Sequence, residues 1–321
     1  RGGQARLQSS MAGGDLATKV GLAPGSDFAA MGCETAILVV ASDLHEEAPI
    51  WWLRVKQAAG RGARLIVANP WATRLERYAT FSVRYQVGQE AAFVRGLFSA
   101  KNSPEAQALA EAQNVVVIFG SQGLGLEGSQ ALAEACASLL TAGNHTGRPN
   151  NGLLGVWPRA NDQGAWELGF TPTTDLPTAL PGAQALYLVG VDLAGDDPAL
   201  AQALQGVSGQ ERPFIVVQEL ALTETAKLAD VVLPVLAYTE REGSFTSGER
   251  RVQRFFPAVP GAAGLRSDFS LTASIAQRMG LDLEGRSAAS VFLRMASSLQ
   301  AYNGLDYQVF GLRAGAMHLV S

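Results

Sequence analysis

Short continuous runs of apolar residues, separated by polar and glycine-rich stretches, recur along the chain. β-Branched side chains dominate two of them, Val115–Phe119 and Phe214–Val217. An uninterrupted apolar run of this length is typical of a parallel strand buried on both faces, whereas a half-exposed strand alternates between apolar and polar residues. We therefore predict strands at 37–40, 64–68, 83–87, 115–119, 186–189, 214–217 and 231–233.

Helix signals lie between these runs and after the last of them. Pro49 is acceptable in the first turn of a helix, and the Thr223 hydroxyl is placed to cap a short helix ahead of the last predicted strand. Beyond Gln253, apolar residues recur at helical spacing, and a weakly structured tail is expected near His318. The predicted longer helices cover 46–59, 90–98, 127–140, 269–279 and 288–299.

An internal repeat organises the strands. Leu38–Leu44, followed by Pro49, corresponds to Tyr187–Leu193, followed by Pro198, and the next strands match at the same offset. A duplicated strand–helix–strand unit predicts two doubly wound sheets whose strand ends face a common cleft. The expected fold is α/β: two doubly wound Rossmann-like units with mostly parallel sheets, related by the repeat, plus a C-terminal helical segment.

The predicted domain boundaries follow from this repeat. We place the first Rossmann-like unit at 1–112, the second at 113–257, and a helical extension packed on the second unit at 258–321. Within the second unit, 143–182 is a long stretch without periodicity, rich in Gly, Pro and Asn. We expect it to lie along both units without joining a strand ladder. Its Trp157 and Trp166 are expected to be core plugs or, alternatively, an interface.

A glycine-rich loop is a candidate for ligand binding. Gly120, Gly123 and Gly125 follow the Val115–Phe119 run and precede a predicted helix. In a dinucleotide-binding loop, such glycines bring backbone N–H groups and a helix terminus to a pyrophosphate. The spacing here is G-x-x-G-x-G and not G-x-G-x-x-G. A tight structural turn is therefore the alternative.

Composition narrows the possible functions. The chain has 321 residues, a net charge of −4 and a pI of about 5.5, which gives no electrostatic reason to expect nucleic acid or an anionic membrane surface. Its apolar runs are far shorter than the ~20 residues of a membrane helix. Cys33 and Cys136 cannot supply the four thiolates of an iron–sulfur cluster, and three scattered histidines predict no metal site. Lacking an initiator methionine and a secretory signal, the chain is expected to be a piece of a longer protein.

Two stretches near the end of the repeat resemble a known family. TETAKLADVVLP at 223–234 and EREGSFTSGERRVQ at 240–253 are similar to runs found in the molybdopterin oxidoreductase superfamily. One member of this superfamily is an iron–sulfur subunit of bacterial NADH:quinone oxidoreductase, complex I. GRPNNG at 147–152 and the N-x-Q-G-A segment at 161–165 are similar to that subunit. The resemblance covers roughly 35–253. It implies a cleft between two α/β units that holds two pyranopterin guanine dinucleotides in catalytic members.

The resemblance assigns strand-end positions to the walls of that cleft, which here is expected to be vestigial. Two of them, both aspartates, stand where the family's G-x-N-P loops have an amide, and 68–73 lacks the acid and the arginine of V-D-P-R-x-T. Unit charges ~4 Å apart interact by roughly 4 kcal/mol at an effective dielectric of 20, so acids here weaken pyrophosphate binding. We therefore expect no cofactor, no catalytic residue and no metal. The cleft positions are Asp43, Asn69, Gly88, Gly120, Asp192, Glu219 and Arg251.

The resemblance implies a structural function. We expect a non-catalytic molybdopterin-oxidoreductase-like module of that complex I subunit, in the peripheral arm on the cytoplasmic side. It would contact other subunits of that arm and meet the membrane only through the complex. The iron–sulfur clusters of the full-length subunit are expected outside this chain. The alternative is a fragment of a molybdenum or tungsten bis-pyranopterin enzyme such as a formate dehydrogenase, and a third possibility is an NAD-binding Rossmann protein.

Overall fold

The computed structural model of the chain describes residues 4–99, 103–173, 176–180, 183–206, 212–283, 285–308 and 317–318. Three sheets organise these residues: a five-stranded parallel sheet, a three-stranded parallel sheet and a three-stranded antiparallel sheet. The predicted class, two Rossmann-like α/β units with mostly parallel sheets followed by C-terminal helices, is confirmed.

The first sheet has its five parallel strands in the spatial order β3-β2-β1-β4-β5. From β1, strands are added first on one side (β2, β3) and then on the other (β4, β5), so the strand order reverses between β1 and β4. This is the arrangement of a doubly wound fold. The central position predicted for Ile37–Val40 is therefore confirmed. The strands are β1 (Thr35–Val40), β2 (Arg64–Ala68), β3 (Phe81–Val83), β4 (Asn114–Phe119) and β5 (Gly152–Gly155).

Helices cover this sheet on both faces, which explains the uninterrupted apolar runs. Alternate residues of a strand point to opposite faces, so Ile37 and Val39 pack in one core while Leu38 and Val40 pack in the other. Each of these side chains is fully buried, and burying one aliphatic side chain contributes about 1.5–3 kcal/mol. A polar residue anywhere in β1 would therefore face a core.

The helices predicted in this unit are present near the predicted places, with one division, whereas those at Gly14–Val20, Pro104–Ala110 and Asp162–Glu167 were not predicted. The single helix predicted over 46–59 is two, because Ala48 precedes Pro49 and leaves the helical region, with φ −146° and ψ 69°. The helices are α1 (Gly14–Val20), α2 (Leu44–Glu47), α3 (Pro49–Gly60), α4 (Glu90–Ser99), α5 (Pro104–Ala110), α6 (Leu126–Ala142) and α7 (Asp162–Glu167).

Two sequence-based expectations are wrong for residues 113–182. β4 pairs with β1 over its whole length, so the boundary placed at 112/113 falls inside the first sheet. The 143–182 stretch does join a ladder, because Gly152–Gly155 forms β5 and pairs in parallel with β4. The first unit therefore extends at least to β5, and α7 follows it.

The second sheet reproduces the repeat in topology but not in full. Its order is β6-β7-β8, all parallel, which matches β1-β2-β3. The register slips by one residue: Leu38 pairs with Ile66, whereas Tyr187 pairs with Val216. β6 lies at an edge of this sheet, so the central position predicted for Leu186–Val189 is wrong. The elements are β6 (Ala185–Val189), β7 (Phe214–Glu219), β8 (Val231–Pro234), α8 (Leu176–Ala179), α9 (Leu193–Asp196), α10 (Pro198–Gln205) and α11 (Glu224–Leu228).

The second sheet is well covered on one face only. Ile215 and Val217 are fully buried against α9, α10 and α11. On the opposite face, Tyr187, Phe214 and Val231 are 41%, 52% and 39% exposed. The prediction that these strands are buried on both faces is therefore wrong for the described chain.

An antiparallel sheet and two helices complete the chain. The charged stretch after Pro234, where no strand was predicted, forms a hairpin of β9 (Gly243–Thr246) and β10 (Arg251–Phe255). β11 (Met317–His318) pairs with β10, so His318 lies in a strand and not in a loose tail. The predicted C-terminal helices are confirmed as α12 (Asp268–Arg278) and α13 (Ala288–Ser298).

Candidate functional site

The carboxyl edge of the first sheet brings together four of the predicted cleft residues. Asn69 and Gly120 come directly after β2 and β4, and Asp43 and Gly88 lie in the loops after β1 and β3. Parallel strands end at one edge of their sheet, and ligands of doubly wound folds bind at this edge, where the strand order reverses. The reversal here lies between β1 and β4, beside Asp43 and Gly120.

Backbone contacts hold the two loops at this reversal tightly together. Gly120 N–H donates to Val40 O at 3.0 Å, and Gln122 N–H donates to Ala41 O at 3.1 Å. A Cβ at Gly120 would lie 2.4 Å from Ala41 O, closer than a Cβ can approach. Asn69, fully buried, donates its side-chain amide to Gln122 Oε1 at 3.4 Å. Gly120 therefore acts in the tight structural turn that was one of the two predicted alternatives.

The rest of the glycine loop favours the other alternative, an anion site. Gly123 has φ +78° and faces open space, and Gly125 is the N-cap of α6 without a side-chain acceptor for the first-turn N–H groups. Uncapped N–H groups and the helix dipole favour an anion at this terminus. Glu127 in the first turn opposes that preference. The loop can therefore hold a phosphate through its backbone, against the charge of one carboxylate.

A groove adjoins this edge between the first unit and the hairpin. It has a volume of about 330 Å³, and its lining includes Glu47, Trp157 and Phe245. Trp51, which also lines the groove, donates Nε1–H to Glu249 Oε1 at 2.7 Å. Desolvation raises the pKa of Glu47, against the lowering effect of the Ser42 hydroxyl, which donates to it at 2.6 Å. Glu47 is itself exposed at the groove, and this accessible carboxyl group is a candidate proton donor or acceptor that the sequence alone did not indicate.

The aspartates predicted to repel a pyrophosphate cap helices in this structure. Asp43 accepts the His45 N–H at the start of α2. Asp192 accepts from Gly195 N–H at the start of α9 and from both the N–H and the hydroxyl of Thr225, at 2.8 and 2.7 Å. These bonds, led by the Thr225 hydroxyl, lower the pKa of Asp192, so its carboxylate is ionised near neutral pH.

The other predicted residues lie apart from the first group. Asp192 and Glu219 follow β6 and end β7, at the carboxyl edge of the second sheet. Arg251 begins β10, where its Nη2 donates to Ser26 O at 2.7 Å and its Nε lies 3.2 Å from a Glu249 oxygen without hydrogen-bond geometry. Among the described residues, no hydrogen bond or ion pair joins Asp192, Glu219 or Arg251 to the four at the first edge.

A buried polar network behind the groove was missed by sequence reasoning. Arg250 binds both carboxylate oxygens of Glu167, at 2.7 and 3.1 Å, with side chains 2% and 0% exposed. Gln163 donates to Glu167 at 2.9 Å and accepts from Trp157 Nε1–H at 2.9 Å. Arg250 has φ +58°, a left-handed conformation that favours glycine. No local pattern indicates this pairing, because Glu167 and Arg250 lie 83 residues apart in the sequence.

The two tryptophans of the 143–182 stretch lie beside this network, Trp166 in the interior and Trp157 half-buried between the network and the groove. Trp166 is 7% exposed and packs so close to Gly14 that a Cβ there would lie 2.1 Å from the indole. Trp157 contacts Trp166 and Phe119, with ring centroids 6.4 and 5.8 Å apart. Their placement is that of core plugs, the first of the two expected roles.

Two other kinds of feature are absent from the described ranges. No group of three or more His, Cys, Asp or Glu side chains there is arranged to hold a metal ion. None of the helices in those ranges has both the length and the apolarity needed to cross a membrane.

A doubly wound parallel sheet with a glycine loop and an uncapped helix N-terminus at its reversal point is the architecture of a Rossmann-like α/β protein. The particular family is set by sequence comparison. The chain belongs to the molybdopterin oxidoreductase family, whose sequence model matches residues 25–278.

Relatives in this family carry formate dehydrogenase names. The chain is 31% identical over 214 residues to the F420-dependent formate dehydrogenase 2 subunit alpha of Methanococcus maripaludis, covering 56% of this chain and 31% of that protein. It is 24% identical over 254 residues to formate dehydrogenase H of Escherichia coli, covering 68% and 35%. The alignments thus span about a third of these relatives. Nothing in these comparisons points to the complex I subunit in particular.

A solved structure supports the fold. Acetylene hydratase from Pelobacter acetylenicus matches with a TM-score of 0.63 at 13% identity, covering 96% of this chain and 55% of that chain. At this identity, the match shows a shared fold alone.

Proposed function

We propose that the chain is the α/β part of a formate dehydrogenase-type molybdopterin oxidoreductase. Family membership and the names of the relatives support this reading over the complex I module expected from the resemblance. The observation on which it rests is the loop from Gly120 to Gly125 and the free N-terminus of α6, at the reversal point of the first sheet.

The residues at this edge fit the phosphate end of a pyranopterin guanine dinucleotide. Backbone N–H groups of Gly123, Gly125 and the first turn of α6 would bind an anion, and the open space around Gly123 gives it access. Asn69 is fully buried and donates to Gln122, so it would support this loop from behind and would not contact the cofactor itself. When bound, the cofactor would supply the metal for two-electron substrate oxidation. The chain's own residues would bind and orient it, and Glu47 would hold a proton at the neighbouring groove.

A second candidate, a cofactor-free module of the complex I iron–sulfur subunit, is favoured by one observation. Trp157, Gln163, Glu167 and Arg250 fill the interior beside the groove with a satisfied network of hydrogen bonds. A packed interior of this kind stabilises a scaffold and leaves less room for a large cofactor. Other peripheral-arm subunits would then be the partners of the chain.

Guanosine diphosphate is a suitable probe for the phosphate site of the isolated chain. A ligand at 100 times its Kd raises the free energy of unfolding by ~2.7 kcal/mol, which thermal denaturation detects. Gly123→Glu places a carboxylate at the loop and should abolish this stabilisation. Gly169→Glu is a matched control, because Gly169 has a similar φ, +82° against +78°, and also faces open space. Equal responses of both variants would place the nucleotide elsewhere.

Metal analysis of the complete protein separates the two candidates. Stoichiometric molybdenum or tungsten is expected for the formate dehydrogenase-type enzyme. Iron alone, together with no response of the chain to guanosine diphosphate, would refute that proposal and support the complex I module.

A further inference from the structure

A second cavity opens at the opposite edge of the first sheet, where the strands begin. Its volume is about 550 Å³, which lies within the 300–1,000 Å³ typical of small-molecule sites. α5 and the end of α6 form its walls, and the start of β4 forms its floor. The apolar lining includes Leu97, Ala106, Leu109, Val115 and Leu139, all of them buried.

One buried polar side chain, His145, faces this apolar space. It is 8% exposed and lines the cavity directly after α6, where its backbone N–H donates to Leu140 O at 2.8 Å. Gly143 lies against the ring, since a Cβ there would come within 2.6 Å of Cδ2 and 3.2 Å of Nε2. His145 is therefore fixed in position before any ligand arrives.

The hydrogen bonds of Asn151 fix the tautomer of His145. Asn151 donates its amide nitrogen to Asn114 Oδ1 at 2.7 Å and to Pro149 O at 2.9 Å, so its Oδ1 is an acceptor. That oxygen accepts from Val115 N–H at 2.9 Å and lies 2.9 Å from His145 Nδ1. His145 Nδ1 must therefore carry the proton, which leaves a lone pair on Nε2.

The charge state of His145 is neutral under ordinary conditions. Desolvation lowers its pKa from 6.5, and the Arg148 guanidinium lowers it further, against the opposing effect of the Asn151 bond. Among the described residues, none donates a hydrogen bond to Nε2. The cavity thus contains a pre-oriented nitrogen acceptor that no donor among the described residues occupies, beside mainly apolar side chains.

We propose that this cavity binds a small neutral apolar molecule with one hydroxyl donor, of the phenol or medium-chain alcohol class, whose O–H donates to His145 Nε2. The apolar walls disfavour ions. Glu111 is the one carboxylate among the described lining residues and is already paired with Arg64 at 2.8 Å, while the Arg148 guanidinium lies 3.4 Å from His145 Nδ1. An ether or ketone of the same shape has no proton to donate. The site is separate from the carboxyl edge, so the proposal does not depend on the proposed function.

Titration calorimetry with 4-propylphenol and its methyl ether tests this proposal on the 321-residue chain. The phenol should bind roughly fivefold more tightly than the ether, since a hydrogen bond contributes on the order of 1 kcal/mol and about 1.4 kcal/mol is tenfold in affinity. In His145→Phe the preference should vanish. The ¹⁵N resonance of His145 Nε2 should shift on adding the phenol but not the ether.

A pair of surface variants controls for non-specific binding. Ala110→Trp, at an exposed position of the cavity lining, should block the entrance and weaken phenol binding at least ~10-fold. Ser138→Trp, exposed on α6 and outside the lining, should leave it unchanged. Equal affinity for phenol and ether, or undiminished binding by Ala110→Trp, would overturn the proposal. Because Ala110→Trp and the resonance leave His145 in place, the test survives if His145→Phe fails to fold.

Discussion

The ion pair between Arg250 and Glu167 joins the β9–β10 hairpin to α7 of the first unit. Glu167→Gln keeps the shape of the side chain but removes its charge and replaces one of the two oxygens that accept from Arg250 by an NH2 group. The arginine, 2% exposed, would then be buried without a counter-charge. Removing one member of a buried pair costs roughly 3–5 kcal/mol. We expect Glu167→Gln to lower the free energy of unfolding by about that amount.

Urea denaturation followed by tryptophan fluorescence is the appropriate assay, because Trp157 and Trp166 lie beside the pair. Glu111→Gln is a matched control: Glu111 pairs with Arg64 at a similar distance, 2.8 Å, but with side chains 66% and 33% exposed. An exposed pair contributes about 0–1 kcal/mol. The reasoning is refuted if Glu167→Gln costs no more than Glu111→Gln.

A double substitution distinguishes burial of charge from loss of packing. Arg250→Met with Glu167→Leu removes both charges and keeps apolar volume, and such replacements are often neutral or stabilising by ~1–4 kcal/mol. Unfolding in urea should therefore show the double variant to be more stable than Glu167→Gln. If the double variant is the less stable of the two, shape and not charge determines the contribution of this network.

Four further substitutions test the site and its surroundings. Trp166→Ala should cost roughly 3–5 kcal/mol in urea denaturation if the indole is a core plug, whereas an unchanged free energy of unfolding with lost subunit assembly would identify an interface. Gly120→Ala should lower the free energy of unfolding by about 3 kcal/mol, because the new Cβ meets the backbone oxygen of Ala41. Gly123→Ala should lower it by only about 1 kcal/mol, because of the positive φ of Gly123. Equal losses of stability in thermal denaturation would contradict this. Burial keeps the folded-state pKa of His145 below 6.5, so the unfolded chain binds more protons and the free energy of unfolding should fall as the pH drops below about 6.5. His145→Gln should flatten this part of the stability curve. An unchanged slope in His145→Gln would argue against the assignment.

The central strands of the first sheet could be predicted because their own residues favour a buried strand. β1 and β4 are runs of apolar residues that only a strand covered on both faces can bury. β5 had no such signal, since Gly152–Gly155 contains two glycines and four residues in all. Its strand conformation depends on pairing with β4, which is distant in sequence. The same dependence on tertiary pairing misplaced the domain boundary.

The candidate site was predictable to the extent that strand ends define it. Asp43, Asn69 and Gly120 follow strands of one sheet, so the topology alone brings them to one edge. Asp192 and Glu219 lie on another sheet, and no local pattern states how two sheets are placed. The cavity at His145 left no trace in the sequence, because its walls come from four separate elements.

The helix-capping roles of Asp43 and Asp192 weaken the inference that these two aspartates exclude the cofactor. From the sequence alone, Asp43 and Asp192 are free charges that face a pyrophosphate. In the structure, Asp192 accepts three hydrogen bonds from Gly195 and Thr225, which disperse its charge over oriented donors. Asp43 has a similar role at α2. An aspartate at these positions is thus explained by the helix that begins there, whether or not a ligand binds. The free N-terminus of α6, and not the aspartates, is therefore the feature whose response to an anion decides between the two proposed functions.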